Sequence, residues 1–150
     1  MTEVETYIAS GNLVLTAAGS PGEIEAQLEK LIEKKFKLTI PVIVRRASDW
    51  PAYIKGNPFP KASETAPNAV MIALSKKKPN PEALAALRER AVRGERLERV
   101  GDALWVHFAD GVANSKLAPG LFDRLVGSPV TTRNWRTVVK LGEMTKEASA

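Results

Sequence analysis

The sequence predicts an α+β fold in which one order of elements occurs twice, the first time incompletely. Two predicted β-hairpins are each followed by a helix and then by a short strand. The composition fits a globular chain, because 44% of the 150 residues are hydrophobic and 26% are charged. No apolar run approaches the roughly 18 residues that a membrane-spanning helix needs. We therefore expect a cytoplasmic protein without a membrane partner.

The first unit begins with a predicted hairpin, whose strands at residues 4–9 and 13–16 are joined by Ser10, Gly11 and Asn12. A helix follows, because Ser20 can cap it, Pro21 suits its first position and Glu23 completes a capping box. The remaining elements predicted for this unit are a short buried strand, a short helix and a polar linker, at residues 41–44, 48–55 and 61–68.

The second unit adds a strand and a helix before its hairpin. The strands of this unit are predicted at residues 70–74, 96–100, 103–108 and 130–132. Its first helix opens at Asn80 and closes at Gly94, a second runs from near Ser115 to Gly127, and the last runs from Arg133 to about Thr145.

The resulting β-α-β-β-α-β order is ferredoxin-like. We predict two such repeats, with residues 1–60 forming a first subdomain truncated at its N-terminus and residues 61–150 forming a second subdomain with a C-terminal helix. The truncated sheet should expose an unpaired edge, so we expect a homodimer or strand exchange through it.

Several segments of the chain also resemble a known family. The segments TYIASGN, IPVIVR, NPFP, NSKL and above all TTRNWRTVVKL resemble the domain-of-unknown-function family 1697. The resemblance implies two ferredoxin-like α+β subdomains and carries no established activity, cofactor or substrate. Members of that family typically begin with a further strand bearing an RGIN-type motif and a helix, which agrees with an incomplete first repeat.

Positive charge is concentrated in the second part of the chain, and it suggests an anionic partner. The net charge is +5, and residues 61–150 carry 15 basic against 10 acidic side chains, whereas residues 1–60 are balanced. In the segment TTRNWR, Thr132 is predicted to cap the last helix, and Arg133, Arg136 and Lys140 fall on one helical face. Arginine suits phosphate oxygens through bidentate hydrogen bonds. The candidate ligand-binding residues are Lys116, Arg133, Asn134, Arg136, Ser10 and Asn12.

Other chemistries have little support in the sequence. The chain has no cysteine and one histidine, which excludes disulfides, thiol catalysis and metal sites built on thiolates or several histidines. It also lacks a P-loop or a GxGxxG motif, so we expect no cofactor and no metal. His107 and Trp105 share a strand face, and stacking on a nucleic-acid base there is a weaker hypothesis.

Three functional hypotheses remain. The first is a non-enzymatic binding protein for an anionic small molecule or a nucleic acid, and the second is a small enzyme acting on a phosphorylated or carboxylated metabolite. The third gives the TTRNW segment a purely structural role. Three partners for the Arg133 guanidinium inside the fold would favour this third hypothesis at that residue.

Overall fold

The computed structural model describes residues 2–7, 11–117 and 119–149 and confirms the α+β class. The strands are β1 (Thr2–Tyr7), β2 (Asn12–Thr16), β3 (Val70–Ser75), β4 (Arg96–Val100), β5 (Ala103–His107) and β6 (Val130–Asn134). The helices are α1 (Pro21–Phe36), α2 (Trp50–Lys55), α3 (Pro60–Thr65), α4 (Ala83–Glu89), α5 (Pro119–Val126) and α6 (Trp135–Ser149).

A four-stranded antiparallel sheet with the strand order β4-β5-β3-β6 organises the second part of the chain. Its central strand β3 is a continuous apolar run, and it pairs with β5 on one side and with β6 on the other. Ile72 therefore lies opposite Trp105 in β5 and opposite Arg133 in β6. Strands that are buried on both faces typically have such uninterrupted apolar sequences.

Each face of this sheet packs against its own hydrophobic cluster. Leu104 and Val106 point towards the side covered by α4 and α5, where Leu87 and Phe122 are buried. Ile72 and Trp105 point towards the opposite side, which is covered by Trp50, Tyr53 and Val138 of α2 and α6. This alternation follows from the period of two in a β-strand.

The hairpin β1–β2 forms a separate two-stranded sheet, and α1 follows it as predicted. The Ser20 hydroxyl accepts a hydrogen bond from the amide of Glu23 at 3.2 Å, which confirms the predicted N-cap. Lys37 follows the last helical residue, Phe36, as the C-cap, and its φ of 58° lies in the left-handed region. Ile24 and Leu28 are the buried apolar residues of α1.

The predicted strand at residues 41–44 is absent from the structure, and this part of the prediction is wrong. The segment instead runs without regular pairing, because glutamates of α1 take the place of a neighbouring strand. The Glu29 carboxylate accepts a hydrogen bond from the amide of Val42 at 3.1 Å, and the Glu25 carboxylate accepts one from Val44 at 2.9 Å. Lys76 also donates to Glu29 at 2.5 Å, which ties α1 to the end of β3.

The predicted linker at residues 61–68 is also wrong, since it contains α3 and a short 3-10 turn at Pro67–Ala69. The Asn57 side chain fixes the start of α3. Its amide group donates to the hydroxyl of Ser63 at 2.7 Å, and its carbonyl oxygen accepts from the amide of Phe59 at 2.9 Å. Phe59 and Ala62 pack against the cluster formed by α2 and α6, so this segment contributes to the core.

Candidate functional site

The basic segment near the C-terminus is divided between a strand and a helix. We predicted that Arg133 begins the last helix, but β6 continues to Asn134, and α6 begins at Trp135. The reason is that β6 pairs with β3 along its whole length, up to the pair Met71 and Asn134. Arg133 therefore does not share a helical face with Arg136 and Lys140.

Arg133 is held by groups inside the fold. Its Nε donates to the side-chain carbonyl oxygen of Asn12 at 2.6 Å, and Nη1 donates to the hydroxyl of Thr131 at 2.6 Å and to the carbonyl oxygen of Thr132 at 2.8 Å. Asn12 is buried, and burial lowers the pKa of the Arg133 guanidinium below its ordinary value. These three partners meet the criterion for a structural role and join β6 to the hairpin.

The other predicted site residues lie in different settings. The Asn134 side chain accepts a hydrogen bond from the amide of Thr137 at 3.0 Å, so that Asn134, and not Thr132 as predicted, caps α6. Arg136 and Lys116 are exposed, and neither forms a hydrogen bond or an ion pair within the part of the chain that the structure describes. Ser10 lies outside the described residues. The structure thus brings Arg133 and Asn12 into contact.

A shallow depression of about 400 Å³ lies on the surface of α6. It is lined by Trp135, Arg136, Val139, Lys140 and Glu143. Arg136 and Lys140 are one helical turn apart and both are exposed, whereas the Trp135 ring is half-buried and lies 6.0 Å from the Trp105 ring. An aromatic surface beside two cations can contact a planar anionic group.

A larger groove of about 1080 Å³ lies between the hairpin, α1 and the segment at residues 40–46. Most of its lining side chains are apolar, and Thr131 and Arg133 of β6 also line it. Such apolar concave surfaces are the usual locations of binding sites. Two of the predicted ligand-binding residues, Asn12 and Arg133, line this groove.

A polar network that the sequence analysis missed joins the first part of the chain to the second sheet. The Tyr53 hydroxyl donates to the Asp102 carboxylate at 2.8 Å and accepts from Nε of Arg45 at 3.0 Å. Arg45 also donates to the carbonyl oxygen of Ser75 at 2.6 Å. Burial, followed by the hydrogen bond to Asp102, raises the pKa of Tyr53 to about 12. No motif in the sequence links these distant residues.

The structure does not support the hypothesis that Trp105 and His107 stack on a nucleic-acid base. Trp105 is fully buried beneath α6, and the His107 ring lies 5.8 Å from that of Phe59, so this sheet face is not open.

Within residues 2–7, 11–117 and 119–149, there is no cluster of three or more acidic or histidine side chains suited to a metal ion. No helix in these same ranges is long and apolar enough to cross a membrane.

Comparisons with known proteins show a family and a fold. The family model described as "Protein of unknown function (DUF1697)" matches residues 1–105, a range that ends before the TTRNW segment. The solved structure of conserved bacterial protein SP0830 from Streptococcus pneumoniae is similar, with a TM-score of 0.69 and 20% sequence identity. The similarity covers 96% of this chain and 81% of that chain. Among curated proteins, none matches this sequence.

The contacts of Arg133 predict that its removal destabilises the fold. Replacing Arg133 with Ala should lower the free energy of unfolding by about 1.5–3 kcal/mol, the range for hydrogen bonds to a charged group. The matched change Arg136→Ala, at an exposed position, should alter it by less than about 0.5 kcal/mol. Urea unfolding followed by circular dichroism measures both values. Equal effects of the two substitutions would contradict the structural role of Arg133.

The raised pKa of Tyr53 predicts a loss of stability in alkaline solution. The unfolded chain releases the phenol proton near the ordinary pKa of 10, and the folded chain releases it near 12. The contribution of Tyr53 to stability is therefore complete below pH 10 and is lost as the pH rises towards 12. Urea unfolding at several pH values across this interval should show that the free energy of unfolding falls more steeply with pH for the wild type than for Tyr53→Phe. Parallel declines would show that Tyr53 titrates normally.

Proposed function

The chain belongs to the DUF1697 family of proteins of unknown function, and from this premise we propose that it is a non-enzymatic binding protein for a phosphate-bearing ligand. The observation that carries the proposal is the depression on α6, where two exposed cations flank a half-buried indole ring. Arg136 and Lys140 contact the phosphate oxygens, and Trp135 packs against a planar part of the ligand. A nucleotide or a short single-stranded nucleic acid combines both features.

The charge environment of α6 supports this assignment. Arg136 has no ion-pair partner among the described residues, so its guanidinium is available to an anion. Lys140 lies 3.9 Å from Glu143, and both side chains are about half exposed. An exposed pair of this kind contributes little energy, and a phosphate group can therefore compete with it. The positive net charge of the chain adds a long-range attraction for anions.

The proposed ligand contacts keep Arg136 from the predicted set and add Lys140 and Trp135, which were not in it. A ligand at Arg133 would have to replace its bonds to Asn12 and to the two threonines of β6, whereas a ligand at Arg136 displaces only solvent. Asn134 supports the site indirectly, since its side chain caps the helix that carries Arg136 and Lys140. Lys116 remains a candidate for a more distant contact with a longer polyanion.

We also propose that the second part of the chain is a ferredoxin-like unit and that the first part is a truncated repeat of it. The order β3-α4-β4-β5-α5-β6 and the sheet order β4-β5-β3-β6 support the first statement. The order of hairpin, helix and extended segment at residues 2–46 parallels the order at residues 96–134 and supports the second. In this comparison, β3 and α4 have no counterpart among the described residues of the first unit.

A thermal-shift experiment at low salt tests the proposed binding. Inorganic phosphate, AMP, ATP and a short oligothymidylate are the probes, and a ligand that binds the folded state raises its Tm. We expect ATP or the oligonucleotide to raise Tm, and we expect the double substitution Arg136→Gln and Lys140→Gln to abolish that shift. The control is Lys34→Gln with Lys35→Gln in the last turn of α1, which removes the same charge from another surface.

The outcomes of this experiment separate a defined site from a general charge effect. For the oligonucleotide, the binding constant should fall steeply as the salt concentration rises. In the α6 variant, the slope of the logarithm of the binding constant against the logarithm of the salt concentration should be shallower by about 0.7 for each phosphate contact that is lost. If the α6 variant and the α1 control lose the ligand-induced rise in Tm to the same extent, the proposed site on α6 is refuted. The absence of any shift in the wild type would refute the proposed function.

A further inference from the structure

We propose that the end of α1 binds the surface of an anionic lipid bilayer, with apolar side chains entering the interface and lysines contacting the headgroups. Residues 30–40, which we call the α1 tip, make this contact. The α1 tip is separate from the depression on α6, and its role does not depend on the proposed ligand. The expectation of no membrane partner came from the lack of a long apolar run in the sequence. That criterion concerns spanning helices and not binding at a membrane surface.

The first observation is the concentration of exposed apolar side chains in the α1 tip. Eight large apolar residues are exposed among those whose side chains the structure describes, and half of them lie within residues 31–40. These are Leu31, Phe36, Leu38 and Ile40, with exposed fractions between 45% and 62%. A single exposed apolar residue is ordinary, but a group of them in one short segment marks an interaction surface.

The second observation is the positive charge that surrounds these apolar side chains. The α1 tip contains four lysines and one glutamate, which gives it a net charge of +3. The lysines are Lys30, Lys34, Lys35 and Lys37, and all four are exposed. None of their amino groups forms a hydrogen bond or an ion pair with another residue that the structure describes. Lysines interleaved with exposed apolar side chains complement a negatively charged lipid surface.

The shape of the α1 tip favours a bilayer over a folded partner. Every residue from Glu33 to Ile40 is exposed, whereas the last buried residue of α1 is Leu28. Residues 33–39 line neither the groove nor the depression on α6. A bilayer requires no matching pocket, because it presents anionic headgroups directly above hydrocarbon. Lysine suits this boundary, since its flexible stem lies along apolar surface while its amino group stays in water.

The third observation is the backbone conformation of Lys37. Its φ of 58° is positive, and no other residue except glycine has a positive φ in the part of the chain that the structure describes. Glycine is the usual residue in this conformation at the end of a helix, because it has no Cβ to clash with the backbone. The lysine therefore costs stability at this position, and contact with anionic lipid gives its charge a function.

We also compared the consequences of losing charge at the α1 tip and elsewhere. Lys77 and Lys78, in the loop after β3, are adjacent and exposed like Lys34 and Lys35. They lack the neighbouring apolar side chains, since none of the eight exposed large apolar residues lies between Ile40 and Val92. The pair in the loop therefore provides a control with the same change in net charge.

Co-sedimentation with lipid vesicles tests the proposal. The wild type should bind vesicles of phosphatidylcholine mixed with phosphatidylserine far more tightly than vesicles of phosphatidylcholine alone. Each lysine near an anionic bilayer contributes about fivefold to the binding constant, so Lys34→Gln with Lys35→Gln should weaken binding about 25-fold. The control Lys77→Gln with Lys78→Gln should stay within about twofold of the wild type, because these side chains lie outside the α1 tip.

Two further variants separate membrane binding from a structural role. Lys37→Gly should preserve or raise the free energy of unfolding, since glycine suits a φ of 58°, and yet it should weaken vesicle binding about fivefold. Phe36→Trp reports entry into the bilayer. Brominated phosphatidylcholine in the vesicles should quench its fluorescence more than that of the wild type, because the side chain at this position enters the interface.

Each contrary result overturns the proposal in a recognisable way. A wild type that does not sediment with the phosphatidylserine vesicles has no membrane-binding surface. Equal weakening by the lysine substitutions in the α1 tip and in the loop after β3 shows a general charge effect. Binding of Phe36→Trp without additional quenching refutes the entry of apolar side chains into the interface. Circular dichroism of all variants confirms that they are folded.

Discussion

The pairing of β3 with a strand on each side is the interaction on which the rest of the structure depends. Buried backbone amide and carbonyl groups need partners, and β5 and β6 supply them to β3 along its length. Side chains of β3 also belong to both hydrophobic clusters, with Ala73 on one face and Ile72 on the other. One strand therefore connects the helices on the two faces of the sheet, and the ends of this sheet provide the attachment points for the first part of the chain.

Hydrogen bonds and an ion pair connect the first part of the chain to this four-stranded sheet. Arg45 reaches the carbonyl oxygen at the end of β3 and, with Tyr53, engages Asp102 in the turn between β4 and β5. Arg133 reaches Asn12 from the opposite edge of the sheet. Two arginines thus stabilise the architecture, whereas Arg136 and Lys140 of α6, where we propose that an anion binds, are exposed. A basic residue in a sequence motif is available to a ligand only when the fold does not already engage it.

The sequence predicted the elements whose signals are local and missed the contacts that depend on tertiary structure. The Ser20 cap, the two hairpins and the shared strand face of Trp105 and His107 were correct, because capping and period-two patterns act over a few residues. The strand at residues 41–44 was wrong because a strand needs a neighbour as well as apolar residues. Arg133 was assigned to a helix because its pairing opposite Ile72 is invisible in the sequence. The network of Arg45, Tyr53 and Asp102 joins residues up to 57 positions apart, and no spacing rule could reveal it.

The most direct test of this account is residue-resolved hydrogen exchange under native conditions with increasing urea. The account predicts that the amides of β3 and β5 exchange only when the whole protein unfolds. The amides of α1 should exchange through a smaller opening with a lower free energy, since this helix is attached through Glu25, Glu29 and two buried apolar side chains. The same free energy of exchange for α1 and β3 would contradict the account, because it would show that both parts of the chain unfold as one cooperative unit.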